Sequence, residues 1–184
     1  MKYLRVKYLI SLWKTLYWKI IYQGNLKLES IYLGFEQHVR IIIKSNGKIN
    51  IGNHTYVSRR TDIESYGGKI SIGSRTFINK DCIFVSRESI TIGENTIFGE
   101  QVSVYDHDHL FNPDRGPYRD QGFLSKPIVI GKNVWVGCKV FIGKGVSIGN
   151  NSIIAAGSIV VKDIPDNVIF YNGKIKSLRM NDKG

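Results

Sequence analysis

Tyr105-Asp106-His107-Asp108-His109 puts two of the chain's four histidines beside carboxylates within five residues. Imidazole titrates near neutrality, so it can take a proton from an alcohol and pass it on. A flanking carboxylate fixes the ring tautomer and raises its basicity. The run opens a polar stretch, residues 107–126, that passes through Asn112-Pro113-Asp114-Arg115-Gly116 to Lys126-Pro127. A loop of roughly 20 residues in a compact domain is uncommon and usually functional. His109, His107 and Asp106 are therefore the candidate catalytic residues. Asp106 and Asp108 are both candidate orienters, and spacing does not choose between them.

The elements around this loop follow from a beat of six. Ile130, Val136, Ile142, Ile148, Ile154 and Val160 recur at six-residue intervals, each followed by Gly, Ala or Val. Neither the 3.6-residue helical period nor strand alternation produces that spacing. A hexapeptide repeat does, and it predicts a parallel β-helix with three flat faces per coil and small residues where the chain turns. The same frame carries Ile51, Val57 and Ile63, then Ile72, Ile78 and Phe84, then Ile92, Phe98 and Val104. The I-x-I-G signature marks successive coils at Ile49 to Gly52, Ile70 to Gly73, Ile90 to Gly93 and Ile128 to Gly131. The frame is lost after Val104 and resumes at Ile128, so the histidine loop is an insertion between coils. An unbroken register from Ile130 to Val160 argues against a β-sandwich of short strands.

At 184 residues the chain is in the single-domain range. We divide it into residues 1–23, a repeat domain over 24–180 and a tail, 181–184. Two cysteines do not make a disulfide framework, and a reducing cytoplasm fits them. Cys82 occupies an interior slot of the repeat and Cys138 has no histidine near it in sequence, so neither reads as a nucleophile. No uncharged run is long enough to span a bilayer, and the N-terminus lacks the pattern of a secretory signal. Formal net charge is +11, with Lys2, Arg5, Lys7, Lys14 and Lys19 and no acid in residues 1–23. On a helical wheel Leu9, Trp13, Leu16, Tyr17 and Ile20 share one face, and Lys7, Ser11, Lys14 and Thr15 lie opposite. Such a basic, aromatic helix is either an interfacial membrane anchor or a cap on the open end of the β-helix, and both readings stand. The remaining cations are scattered rather than striped, so no nucleic-acid partner is expected.

Over residues 40–180 the chain resembles the hexapeptide-repeat acyltransferases, especially the galactoside and maltose O-acetyltransferase group and its capsule and lipopolysaccharide relatives. The resemblance is most specific in Lys126-Pro127-Ile128-Val129-Ile130-Gly131-Lys132-Asn133-Val134-Trp135-Val136-Gly137. It continues in Gly145-Val146-Ser147-Ile148-Gly149-Asn150-Asn151 and in Ala155-Ala156-Gly157-Ser158-Ile159-Val160-Val161-Lys162-Asp163-Ile164-Pro165. It implies an all-β fold, a left-handed parallel β-helix. The hand comes from the resemblance alone, since general crossover rules favour the right-handed connection.

The resemblance also implies acetyl-CoA as donor substrate, a sugar or glycan hydroxyl as acceptor, a homotrimer, and direct transfer without an acyl-enzyme. By position it puts the general base at His109, with His107 next. Donor contacts fall on Cys138, Ala156 and Lys162, with Trp135 near the thioester end and Lys176 and Arg179 toward the nucleotide phosphates. The family's usual tail motif is altered to Tyr171-Asn172-Gly173-Lys174-Ile175-Lys176, which leaves the tail assignments the least specific. The setting expected is the cytoplasm, with peripheral contact to the inner face of the membrane through residues 1–23, and polysaccharide biosynthesis.

Three other readings compete. Asp106, His107, Asp108 and His109 are competent metal ligands. However, with only His38 and His54 remaining, the three-histidine zinc spacing of β-helical carbonic anhydrases is not reproduced, and no metal is expected. A noncatalytic β-helix, a scaffold or surface binder, would need neither the histidine loop nor Trp135. An N-acetyltransferase acting on an amino sugar would use the same donor chemistry.

Overall fold

The computed structural model describes residues 2–29 and 33–178. The chain winds through three parallel sheets in turn, so that each coil adds one strand to each. Sheet A stacks Leu26–Leu28, Lys48–Ile51, Lys69–Ile72, Ser89–Ile92, Ile128–Ile130 and Ser147–Ile148. Sheet B runs from Gly34–Phe35 through Trp135–Val136 to Val168–Tyr171, and sheet C from Arg40–Lys44 through Ser103–Tyr105 to Ile159–Val160. The repeat frame is the register: Ile70, Ile90 and Ile128 stack in sheet A, and Ile63, Phe84, Val104, Ile142 and Val160 in sheet C. All eight are inaccessible to solvent. Each such side chain contributes about 1.5–3 kcal/mol through burial, and each coil depends only on its neighbours.

Small residues sit where sequence asked for them, and for a steric reason. A Cβ on Gly93 would lie 2.6 Å from the carbonyl carbon of Gly131, the equivalent residue one coil on. The A-to-B corners instead take left-handed backbone at Asn95, Asn133, Asn151 and Asn167, a region Asn enters more readily than most residues. There, Asn133 Nδ2 donates to Asn151 Oδ1 (2.9 Å) and Asn151 Nδ2 to Asn167 Oδ1 (3.2 Å).

The first coil begins at Leu26, earlier than the resemblance reaches, and the helix Lys2–Ile21 closes it. Ser11 Oγ donates to the Leu33 carbonyl (2.7 Å) and accepts from the Phe35 amide (3.0 Å). Trp18 packs edge-on against Phe35, with centroids 5.1 Å apart, and the Tyr22 hydroxyl donates to the Ile41 carbonyl. The helix thereby covers backbone groups at a sheet edge that would otherwise be open to pairing. The helix thus packs on the edge of the first coil, and the face it turns inward is not the apolar face of the helical wheel. Ser11, Thr15 and Trp18 are buried, whereas Trp13, Leu16, Tyr17 and Ile20 face solvent.

Candidate active site

The chain leaves sheet C after Tyr105, at the corner where it would otherwise turn into sheet A, and returns at Ile128. Within this excursion His107–His109 pairs antiparallel with Phe123–Ser125, aligning His107 with Ser125 and His109 with Phe123. The hairpin is anchored by Asp106, which is fully buried. Its carboxylate accepts from Ser86 Oγ (2.7 Å), the Arg87 amide (2.8 Å), the Glu88 amide (2.9 Å) and His107 Nδ1 (3.0 Å). An ionised carboxylate only accepts, so in this contact His107 Nδ1 is the donor. The Asp106 backbone carbonyl accepts from the Lys126 amide (2.8 Å), which pins the other end of the loop.

Beyond the hairpin the loop is ordered by its own side chains. Gln121 accepts from the Asn112 amide (2.8 Å) and donates to the carbonyls of Asn112 and Gly116. Two short helical turns, Pro113–Arg115 and Tyr118–Asp120, complete it. Asp108 is ion-paired with Lys144 from the next coil. Of the two aspartates left open by spacing, Asp106 contacts the His107 imidazole and Asp108 contacts Lys144.

The two histidines have different surroundings. The His107 side chain is 10 % exposed, edge-on to Phe123 (5.3 Å) and Tyr105 (6.0 Å). His109 is exposed and leans on the Phe123 ring with centroids 4.4 Å apart. Sequence reasoning missed two residues here. Phe123 touches both imidazoles, and Arg87 lays its guanidinium carbon 3.4 Å from the Phe123 centroid, with Tyr66 at 5.6 Å on another side. Arg87 Nε is buried with no hydrogen-bond partner in the structure. Only the alternation of the returning strand could have pointed to Phe123. Arg87 lies nineteen residues before Asp106 and thirty-six before Phe123 in sequence and meets both through coil stacking alone.

The residues expected at the donor fall elsewhere. Trp135 stands outward on sheet B, half exposed, in one row with Ile153, Ile169 and Lys176. That row spans three strand spacings, about 14 Å. Cys138 is exposed at the B-to-C corner and Ala156 lies one coil above it, where the Gly157 amide donates to the Cys138 carbonyl (2.8 Å). Lys162 Nζ donates to the Gly173 carbonyl (3.2 Å), and Arg179 lies outside the described residues. Cys82 is buried, and that burial pushes its thiol up to about 12, so it stays protonated and inert near neutrality. A shallow groove lined by Val129, Ser147, Asn150, Pro165 and Ile175 runs beside the last coils without reaching the hairpin. Among the described residues no three His, Cys, Asp or Glu side chains cluster as metal ligands would.

Comparison with known proteins agrees with this architecture. Residues 127–162 match the bacterial transferase hexapeptide family model (six repeats). A hexapeptide-repeat acetyltransferase from Vibrio cholerae O1 biovar eltor, solved with acetyl coenzyme A, is 33 % identical over 70 % of each chain, with a TM-score of 0.63. The chain belongs to the hexapeptide-repeat acetyltransferases. Galactoside acetyltransferase, solved with coenzyme A, is 31 % identical over 78 % of this chain and 68 % of its own, also with a TM-score of 0.63. A Saccharomyces cerevisiae protein to which acetyltransferase activity is ascribed is 38 % identical over 115 residues. The match spans 62 % of this chain and 57 % of the yeast protein. Membership in this family of acyl-transferring enzymes removes the scaffold reading.

In a hexapeptide-repeat acetyltransferase the spacing of these groups has a consequence. Within one chain the histidine hairpin leaves at the C-to-A corner, whereas Cys138 and Ala156 occupy the B-to-C corner and Trp135 stands on sheet B. The width of sheet C separates them.

Proposed function

We propose that the chain transfers the acetyl group of acetyl-CoA to a hydroxyl of a sugar or glycan, in polysaccharide biosynthesis, with His109 as general base. The observation that carries this reading is the hairpin: an exposed imidazole held on a rigid, hydrogen-bonded support in an acetyltransferase fold. The thioester is already activated, so the protein has mainly to position the hydroxyl and take its proton. In a near-attack geometry, positioning supplies roughly 7–11 kcal/mol. His109 accepts the hydroxyl proton as the oxygen attacks the thioester carbonyl. The tetrahedral intermediate collapses with cleavage of the C–S bond, and the imidazolium returns the proton to the departing thiolate. Acetyl ester and free coenzyme A result, with no acyl-enzyme. His107, locked by Asp106 and half-enclosed by Tyr105 and Phe123, supports the strand on which His109 sits.

Donor binding is assigned to Trp135, Cys138, Ala156 and Lys162, with Lys176 and Arg179 toward the phosphates as charge-assisted partners. Because hairpin and donor residues occupy different edges of one prism, we assign each site to two neighbouring chains of a homotrimer. The O-acetyl reading rests on the galactoside acetyltransferase among the relatives. Incubation with labelled acetyl-CoA and a panel of sugar nucleotides, capsule fragments and amino sugars tests it. Alkali-labile label on a hydroxyl is the expected product. Label retained as an amide on amino sugars alone would replace the reading with N-acetyl transfer, and CoA release with no acceptor would remove it.

A further inference from the structure

The helix Lys2–Ile21 is amphipathic in the inverted sense. Its polar Ser11 and Thr15 are buried, Ser11 bonding the Leu33 carbonyl and Phe35 amide of the first coil and Thr15 the Ser11 carbonyl of its own helix, and its apolar stripe faces away. Trp13, Leu16, Tyr17, Ile20 and Ile21 are 46–72 % exposed. The first four follow the i, i+3, i+4, i+7 spacing of a single helical face, which in a water-facing helix is polar. The solenoid does not cover this face, and the helix's own fold-stabilising contacts do not use it.

We propose that this face docks the protein on an anionic lipid surface. Composition names the occupant. Trp and Tyr are the side chains that favour the headgroup boundary, and both lie in the stripe. Residues 1–23 carry Lys2, Arg5, Lys7, Lys14 and Lys19 without one acid. Lys14 is spent: its Nζ donates to the Glu36 carbonyl (2.7 Å), and burial holds its pKa below the usual lysine range. Lys19 is exposed and free of that duty, and the three earlier cations belong to the same acid-free segment. Among the described residues no helix is long and apolar enough to cross a membrane, so the helix lies in the interface rather than spanning it. A second copy of the chain fits this face poorly. Pairing two such helices would bring their cations together with no carboxylate between them.

The inference is independent of the acetyl-transfer reading and is tested without any acceptor. Full-length protein is mixed with vesicles of phosphatidylcholine, pure or blended with phosphatidylglycerol, and followed by co-sedimentation and tryptophan emission. Binding to the blended vesicles alone, with a blue shift and reversal by salt, is expected. The triple variant W13S/L16S/I20S, whose positions are exposed, should lose binding by about tenfold or more while keeping the parent's melting temperature and oligomeric state. Lys19→Gln tests the charge without touching the apolar face and should weaken binding about fivefold. Unchanged binding by both variants, or no binding by the parent, overturns the proposal. A change of oligomeric state in the triple variant also overturns it and assigns the face to a second copy.

Discussion

Asp106 and Asp108 stand two positions apart, Asp106 at the corner before the hairpin strand and Asp108 within it, and they meet different partners. Asp106 turns inward to the corner amides of Arg87 and Glu88 and to His107, and Asp108 turns outward to Lys144. Among the described residues no carboxylate pairs with His109, which presents its ring beside Phe123. Accordingly, His109→Ala should cut turnover by ~10²–10⁴-fold, the ordinary contribution of a positioned base. Melting temperature and coenzyme A affinity should be nearly unchanged. His107→Ala should cost clearly less in turnover. Steady-state kinetics on any active acceptor checks both. Loss concentrated at His107 would instead make the Asp106-paired imidazole the base.

At the scale of elements, the hairpin is fastened at its base by Asp106 and along its side by aromatic stacking. Phe123 is clamped between the imidazoles and the Arg87 guanidinium, a cation–π contact worth about 0.5–2 kcal/mol. Phe123→Ala removes the clamp without touching the solenoid core. Faster proteolytic cleavage within residues 110–122 and a fall in turnover are expected, with the thermal transition of the coils retained. Equal protease resistance in parent and variant would show that Asp106 and Gln121 suffice to hold the loop.

The whole molecule is a prism with unlike faces. Sheet A is outwardly polar, with Lys27, Asn50, Ser71 and Thr91 in register. Sheet B carries a row of Tyr56, Phe77, Ile97, Trp135, Ile153 and Ile169. Covering such an apolar row is the physical motive for the homotrimer proposed above, which light scattering at micromolar concentration tests. A complementation test follows from the two-edge geometry of the site. Trimers mixed from His109→Ala and a donor-blocking Ala156→Tyr chain should regain activity, since one interface can combine an intact hairpin with an intact donor corner. A monomer in solution, or mixtures no more active than their parents, would return the site to a single chain.

The hexad from Ile51 to Val160 determined the sheets, the register and the core, because each coil is built from local sequence and stacks on the one before it. The break between Val104 and Ile128 located the loop on the same grounds. Tertiary structure decided what depends on stacking at long range. Arg87 and Phe123 meet only because one coil lies over another, and Asp106 was singled out by amides that belong to the previous coil. The helix was decided last of all. Its periodicity defined two faces, but a sheet edge needing hydrogen bonds drew Ser11 inward, with Thr15 buried one turn on, and left Trp13 and Ile20 outside.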